Sequence, residues 1–279
     1  MGGTGGLSRN IGRNKIIQME KTFVVKIGGN IIDREDELMI FLKIFAAIQQ
    51  PKILIHGGGK LATELAADLG IKQKLVDGRR ITDAATLKVV TMVYGGFINK
   101  NIVAKLQSFN CNAIGLCGAD ANLISADKRT VDNLDYGFVG DIKNGGVNVS
   151  VVKLLLQNIL TPVIAPLTHN HEGQLLNTNA DSVANEMAKA LSSDYDVHLI
   201  YCFNKKGILS NVEDENSVIK GITKESAEIL KLENIINEGM IPKIDNAFQA
   251  LAGGVKKVSL GHALELDRII EGVSGTSIG

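Results

Sequence analysis

Two β-rich runs in the first third of the chain, TFVVKIGGN (residues 22–30) and KILIHGGGK (residues 52–60), end in glycines and pass at once into stretches of helical spacing. A strand that stops at glycines and restarts as a helix, repeated along a chain, builds a mostly parallel sheet covered on both faces by helices. The rhythm continues. Residues 35–49 place Leu38, Phe41, Leu42 and Phe45 at helical spacing, and the long periodic segment 83–106 feeds a strand-like run at 112–116. Further helices are expected at 150–158, 180–191, 223–234 and 243–253, with strands at 162–165, 197–201 and 257–260. Between Gly118 and Val147 short runs such as NLISA and YGFVGDI, punctuated by Asp, Asn and Gly, predict a β-hairpin excursion at the edge of the main sheet. The expected fold is α/β, an open three-layer αβα sandwich with a mostly parallel central sheet.

The totals narrow the partners. At 279 residues and 45% hydrophobic, the chain can bury a large core in one two-lobed domain or two modest ones. Thirty basic residues balance thirty acidic ones, so no global field favours nucleic acid or an anionic membrane, and a small-molecule partner is expected. Cys111, Cys117 and Cys202 lack zinc-site spacing and read as buried free thiols of a reducing compartment. No apolar run approaches the ~20 residues of a membrane span. Residues 1–21 read as a flexible tail without the ~7–15-residue apolar segment of a signal peptide, and the protein is expected to be cytoplasmic.

Several stretches carry candidate chemistry. Gly57, Gly59 and Ala62 fit G-x-G-x-x-A with Asp77 downstream, which is the pattern of a dinucleotide site. Yet one turn suffices for a dinucleotide, and this chain has two, preceded in one case by Lys26 at the tail of an apolar strand. Two glycine turns at the carboxyl edge of a parallel sheet can offer backbone N–H groups to two faces of one phosphoryl group. Lys26 reads otherwise as a snorkelling strand-end lysine. In QLLNTNADSVANEM, Asn177 ends a strand and Asn179 can cap a helix with Asp181 in its first turn, where capping alone would explain the residues. In GMIPK, Lys243 stands in a first helical turn, against the macrodipole, and a broken local rule marks a candidate for function. In DGRRITD, Arg80 after the Asp77-Gly78 turn suits a carboxylate, or is one of two solvated surface arginines. His56, at a strand end before glycines, reads as a residue that packs and hydrogen-bonds to a loop rather than a catalytic one, and His169, His171 and Glu172 as a loop rather than a metal set.

Together these segments resemble the amino-acid kinase family, from Thr22 to the end of the chain. KIGGN resembles that family's first-strand motif and ILIHGGGK its second phosphate loop. DGRRITD resembles its substrate-arginine motif, LLNTNAD its N-x-N-A-D motif and GMIPK its nucleotide-side lysine motif; five in the family's order are far more specific than any one. The resemblance implies a carbamate kinase-like sandwich that moves the γ-phosphoryl of ATP, carried with Mg²⁺ on its phosphates, to the side-chain carboxylate of an N-acylated glutamate, acetyl by default. It implies that Lys26, Lys243 and Asp181 are catalytic, the lysines contacting the attacking and leaving sides and the aspartate holding both. Gly58, Gly59, Arg80 and Asn177 would bind substrate, and Gly28, Gly29 and Gly207 the nucleotide phosphates; no protein metal site is implied. Residues 22–170 would form the acyl-glutamate lobe and dimer interface, and 171–279 the ATP lobe.

One stretch departs from the family. YCFNKKGIL carries Asn204 and Lys205 where a D-V-x-G turn has Asp and Val, while Gly207 is kept, so adenosine contacts are expected to differ. The apolar circumference of residues 83–106 predicts a homodimer interface. The resemblance implies that arginine-inhibited members use an N-terminal helix to make hexamers; this glycine-rich tail is a poor helix, so a dimer without arginine feedback is expected. Other acceptors known in the family, including aspartate, free glutamate, carbamate, UMP and isopentenyl phosphate, stay open at this stage, as does a non-catalytic sensor of nucleotide or amino acid.

Overall fold

The computed structural model describes residues 19–76, 79–131, 134–211, 213–233, 235–236 and 240–279. The tail reading therefore falls almost wholly outside the described residues, and its last residue, Lys21, already opens the first strand.

Fourteen strands are described. In chain order they are β1 (Lys21–Ile27), β2 (Lys52–His56), β3 (Lys74–Val76), β4 (Arg79–Ile81), β5 (Ala113–Leu116), β6 (Asp127–Val131), β7 (Leu134–Asp141), β8 (Thr161–Ile164), β9 (Leu167–His169), β10 (Leu175–Asn177), β11 (Asp196–Phe203), β12 (Gly221–Ile222), β13 (Lys257–His262) and β14 (Thr276–Ile278). Eight of them form one sheet in the order β12-β14-β13-β11-β1-β2-β8-β5. Its pairs are parallel except β13 with β14. β1 sits at the centre, with Lys26 in register with Ile55 of β2 and Tyr201 of β11.

Strand alternation splits the core into two clusters. Phe23, Val25 and Ile27 face the helices Glu35–Ala47 and Gly59–Asp68 and the helical run over residues 84–108. Val24, with Ile53, Ile55, Leu199 and Tyr201, faces the helices Val149–Gln157, Ala180–Leu191 and Ile241–Ala252. Helices on both faces of the sheet make the three-layer αβα sandwich that the βα rhythm predicts. Because side chains alternate along a strand, Lys26 shares the face of Val24 and so points toward the helices that carry Asp181 and Lys243.

Two features depart from expectation. The excursion after Gly118 does contain a hairpin, β6 with β7, but not at the edge of the main sheet: β7 pairs on with β10 and β10 with β9 in a second, four-stranded sheet, and β3 and β4 form a separate antiparallel pair. Pairing of β7 with β10 is long-range, so no local turn signal announces it. The long helix is also not uniformly α: it runs as α over Ala84–Val90, π over Thr91–Ile98 and α again over Asn99–Ser108. Hydrophobic periodicity does not distinguish a π-turn from the α-helix around it.

Candidate functional site

The carboxyl ends of β1 and β2 release the chain into two helices through the glycine turns. Gly28 N–H donates to the Cys202 carbonyl at 3.1 Å, and Gly57 N–H to the Ile27 carbonyl at 3.1 Å, which ties both turns to the sheet. The turns touch: a Cβ on Gly29 would lie 3.7 Å from the nitrogens of both Gly58 and Gly59. Gly29 and Gly59 open the helices Gly29–Ile32 and Gly59–Asp68, so their N–H groups belong to first turns, which have no intrahelical partner. Gly58 has φ +147°, and a Cβ there would meet Ile98 Cδ1 at 2.2 Å; no side chain fits.

Beside this cradle lies a buried charge constellation. Asp181, in the first turn of Ala180–Leu191, pairs with Lys26 through Oδ1 at 2.7 Å and with Lys243 through Oδ2 at 3.0 Å. The side chains are 13%, 12% and 26% exposed respectively. Burial by itself would push the carboxyl upward, but the two ammonium groups, first Lys26 and then Lys243, bring it down to about 2. The set therefore holds two cations against one anion, a net positive charge at the end of the central strand. Asn179, not Asp181, is the helix cap: its side chain accepts from Ser182 N–H at 3.0 Å. The capping role that the sequence assigns to this stretch thus leaves Asp181 free to hold the lysines.

A cleft of about 180 Å³ opens next to the turns, lined by Gly57, Gly58, Gly59, Arg80, Tyr94 and Asn177 among others. Arg80 is buried rather than solvated. Its guanidinium donates to the Gly59 carbonyl at 2.8 Å, to Thr63 Oγ1 at 2.9 Å and to Gln73 Oε1. Asn177, at the end of β10, donates to Thr82 Oγ1 at 3.0 Å. The second sheet and the separate β3–β4 pair thus both serve the site, since β10 of the former delivers Asn177 and β4 of the latter delivers Arg80 to the same cleft. Asp77 and Gly78 of DGRRITD and Gly239 of GMIPK lie outside the described residues.

Gly207 stands apart from these groups, in the turn after β11, where a Cβ would fall 2.7 Å from Thr276 Oγ1 and 2.8 Å from Val218 Cγ1. That crowding alone accounts for a glycine there. His169 bonds Asn122 Oδ1 at 2.8 Å and stacks edge-on with His171, and among the described residues no group of three or more His, Cys, Asp or Glu side chains could hold a metal ion. The three thiols are free. Tyr94 and Asn99, from the π-containing helix, escaped the sequence reading; a π-turn has no sequence signature. A cavity of about 970 Å³ lies at the opposite end of the strands near Glu20, Lys52 and Asn110, and neither the glycine turns nor Lys26, Asp181 or Lys243 line it.

A glycine cradle, two lysines sharing one aspartate and a buried arginine at the carboxyl edge of a parallel sheet make an arrangement that can bind and neutralise a phosphoryl group. The amino acid kinase family model matches residues 21–262. The chain belongs to the amino acid kinase family. The acetylglutamate kinase of Cytophaga hutchinsonii is 55% identical over 253 residues, which cover 90% of this chain and 95% of that protein. The acetylglutamate kinase of Parabacteroides distasonis is 52% identical, with 89% and 96% covered. Among solved structures, the carbamate kinase of Giardia lamblia bound to AMP-PNP superposes with a TM-score of 0.67 at 15% identity, covering 93% of this chain and 98% of that one, and shares the family fold.

Proposed function

We infer that the chain transfers the γ-phosphoryl group of ATP to the side-chain carboxylate of N-acetyl-L-glutamate, forming an acyl phosphate in arginine biosynthesis. The observation that carries the reaction class is the pair Lys26 and Lys243 on the two oxygens of Asp181 beside the glycine cradle. The acceptor follows from relatives more than half identical along nearly their full length.

The nucleophile needs no general base, because a glutamate side chain with an ordinary pKa of ~4.3 is already ionised at neutral pH. What must be overcome is the repulsion between a carboxylate and a polyanion, so the work of the residues is positioning and charge neutralisation. Lys26 would contact the transferring group from the acceptor side, and Lys243 the bridge to the leaving diphosphate. Asp181 fixes both ammonium groups and prevents their mutual repulsion from parting them. The N–H groups of Gly29, Gly58 and Gly59 would meet the transferring oxygens, with Gly28 and Gly207 shaping the nucleotide side. Arg80 and Asn177 would hold the main-chain end of the glutamate. Both oxygens of Asp181 are taken by lysines, so Mg²⁺ would be held by the ATP phosphates and not by this carboxylate; the ion would supply further charge neutralisation.

On this reading residues 22–170 are the acyl-glutamate half and 171–279 the ATP half of one continuous sheet, closing over the acyl phosphate to exclude water. Met92 and Phe97, exposed on the helical run 84–108, mark the face on which a homodimer would form. The test is a hydroxamate assay with ATP and Mg²⁺ on N-acetyl-, N-succinyl- and free glutamate and aspartate. Hydroxamate is expected with N-acetylglutamate and to vanish in Lys26→Ala. Silence across the panel from protein that still binds ATP would end the acyl-glutamate assignment.

A further inference from the structure

We propose that His56 and Asn99 form a clamp that positions the phosphate cradle, the π-helical turn bringing Asn99 to the ring and His56 aiming the peptide that offers Gly58 N–H to the transferring group. The proposal rests on the phosphoryl-transfer reading of the glycine turns.

His56 is the last residue of β2, fully buried and immediately before Gly57-Gly58-Gly59. Its Nδ1 lies 2.8 Å from the Gly57 carbonyl oxygen, which can only accept, so Nδ1 carries the proton. Its Nε2 lies 3.2 Å from Asn99 Nδ2, whose other N–H donates to the Val163 carbonyl at 2.9 Å. Nε2 is therefore an acceptor and the ring is the neutral Nδ1–H tautomer. Burial pushes the imidazole down to about 4, in keeping with a ring that stays neutral at working pH.

The consequence for the cradle follows from peptide geometry. The Gly57 carbonyl and the Gly58 N–H belong to one planar trans unit and point in opposite directions. With the carbonyl drawn inward to His56, the N–H is turned outward, toward the cleft. At Gly58 no Cβ stiffens the backbone, and φ is +147°, so the orientation has to be imposed from beneath.

The π-turn explains how one helix serves both sides of this loop. Tyr94 and Asn99 are five positions apart, which on an α-helix of 3.6 residues per turn would separate them by about 140°. Hydrogen bonds that span five residues over Thr91–Ile98 bring them toward one face. Tyr94 and Ile98 then close on Gly58 while Asn99 reaches His56. Asn99 is held in turn: Lys100 Nζ donates to its Oδ1 at 3.2 Å and to the Gly115 carbonyl at 2.8 Å.

Three single variants, one double variant and one spectrum test the clamp, starting from wild-type enzyme active with N-acetylglutamate and silenced by Lys26→Ala; failure there would count against the parent reading and not the clamp. His56→Leu, which removes the donor at similar volume, should lower kcat about 100-fold while KM for ATP changes less than about threefold. His56→Asn, whose amide nitrogen can replace Nδ1, should recover at least about tenfold of that loss, and Asn99→Leu should match His56→Leu without adding to it in the double variant. A folded His56→Leu enzyme with kcat close to wild type, or equal losses in the Leu and Asn variants, would overturn the proposal. Should the variants not fold, ¹⁵N spectra of the five histidines in the wild-type protein decide: a neutral Nδ1–H tautomer for His56 supports the clamp, and an Nε2–H tautomer or a charged ring refutes it.

Discussion

Two lysines on neighbouring strands mark the two ends of the sheet, and their environments differ. Lys52 opens β2 at the amino end and is buried, with its ammonium donating to the Ala46 carbonyl at 2.8 Å and to the Ile48 carbonyl. Those carbonyls lie at the C-terminal end of the helix Glu35–Ala47, so this cation completes a helix C-terminus, with its ammonium also 5.4 Å from the centre of the Phe45 ring. Lys26 lies near the carboxyl end of β1 and shares Asp181 with Lys243, so among the described residues two cations meet one carboxylate. A cation directed at the fold's own carbonyls stabilises; a cation in excess over its shared carboxylate can meet an anion.

The sharpest way to break that comparison is to remove each ammonium in turn. Lys26→Ala should reduce kcat/KM by the roughly 3–4 kcal/mol that a preorganised charge contact contributes in the transition state, with a smaller loss of stability, about 2 kcal/mol at most, from the ion pair with Asp181. Steady-state kinetics beside a thermal melt would check both halves, and an active Lys26→Ala enzyme would remove this lysine from the mechanism.

Next comes the pH dependence of Asp181. Its folded pKa of about 2 lies below the ordinary 3.8, so the unfolded chain binds the proton more readily and the carboxylate's contribution is present in full above about pH 4. It amounts to about 2 kcal/mol at neutral pH and is lost as pH falls from about 4 toward about 2. Melting curves of wild type and Asp181→Asn should differ most at neutral pH and converge over that range. A gap that persists unchanged at pH 2 would mean that the ion pairs do not stabilise the fold.

Lys52→Met should do the reverse of Lys26→Ala, lowering stability by about 1–2 kcal/mol through two orphaned carbonyls while leaving kcat within about twofold. Denaturant unfolding and the hydroxamate assay measure the two effects. The smallest change should be Asn179→Ala, which removes the cap next to Asp181 and costs about 1 kcal/mol of stability. A loss of activity far beyond that stability cost would give Asn179 a direct role at the phosphates.

The residues differ in how openly the sequence announces them. Lys26 interrupts an apolar run and Lys243 opposes a helix dipole, so each breaks a local rule that sequence reading can detect. Asp181 does not stand out in this way, because an acid in a first helical turn is ordinary; only the ion pairs to two other segments distinguish it. Arg80 is ambiguous locally, and its burial depends on Gly59, Thr63 and Gln73 folding over it. His56 reads as a residue that packs and hydrogen-bonds to a loop, and both are seen: the ring is buried and its Nδ1 bonds the Gly57 carbonyl.

The layered α/β fold, the order of its elements and the two glycine turns were determined by the sequence itself, because strand and helix periods, glycine and caps are local properties that act over a few residues. The tertiary structure alone decided which residues 62 to 155 positions apart share a carboxylate, how β10 leaves the main sheet to bring Asn177 to Arg80, and where the long helix takes its π-turn. Those outcomes depend on long-range packing and on burying charge only where a partner meets it, and no short window of sequence contains either.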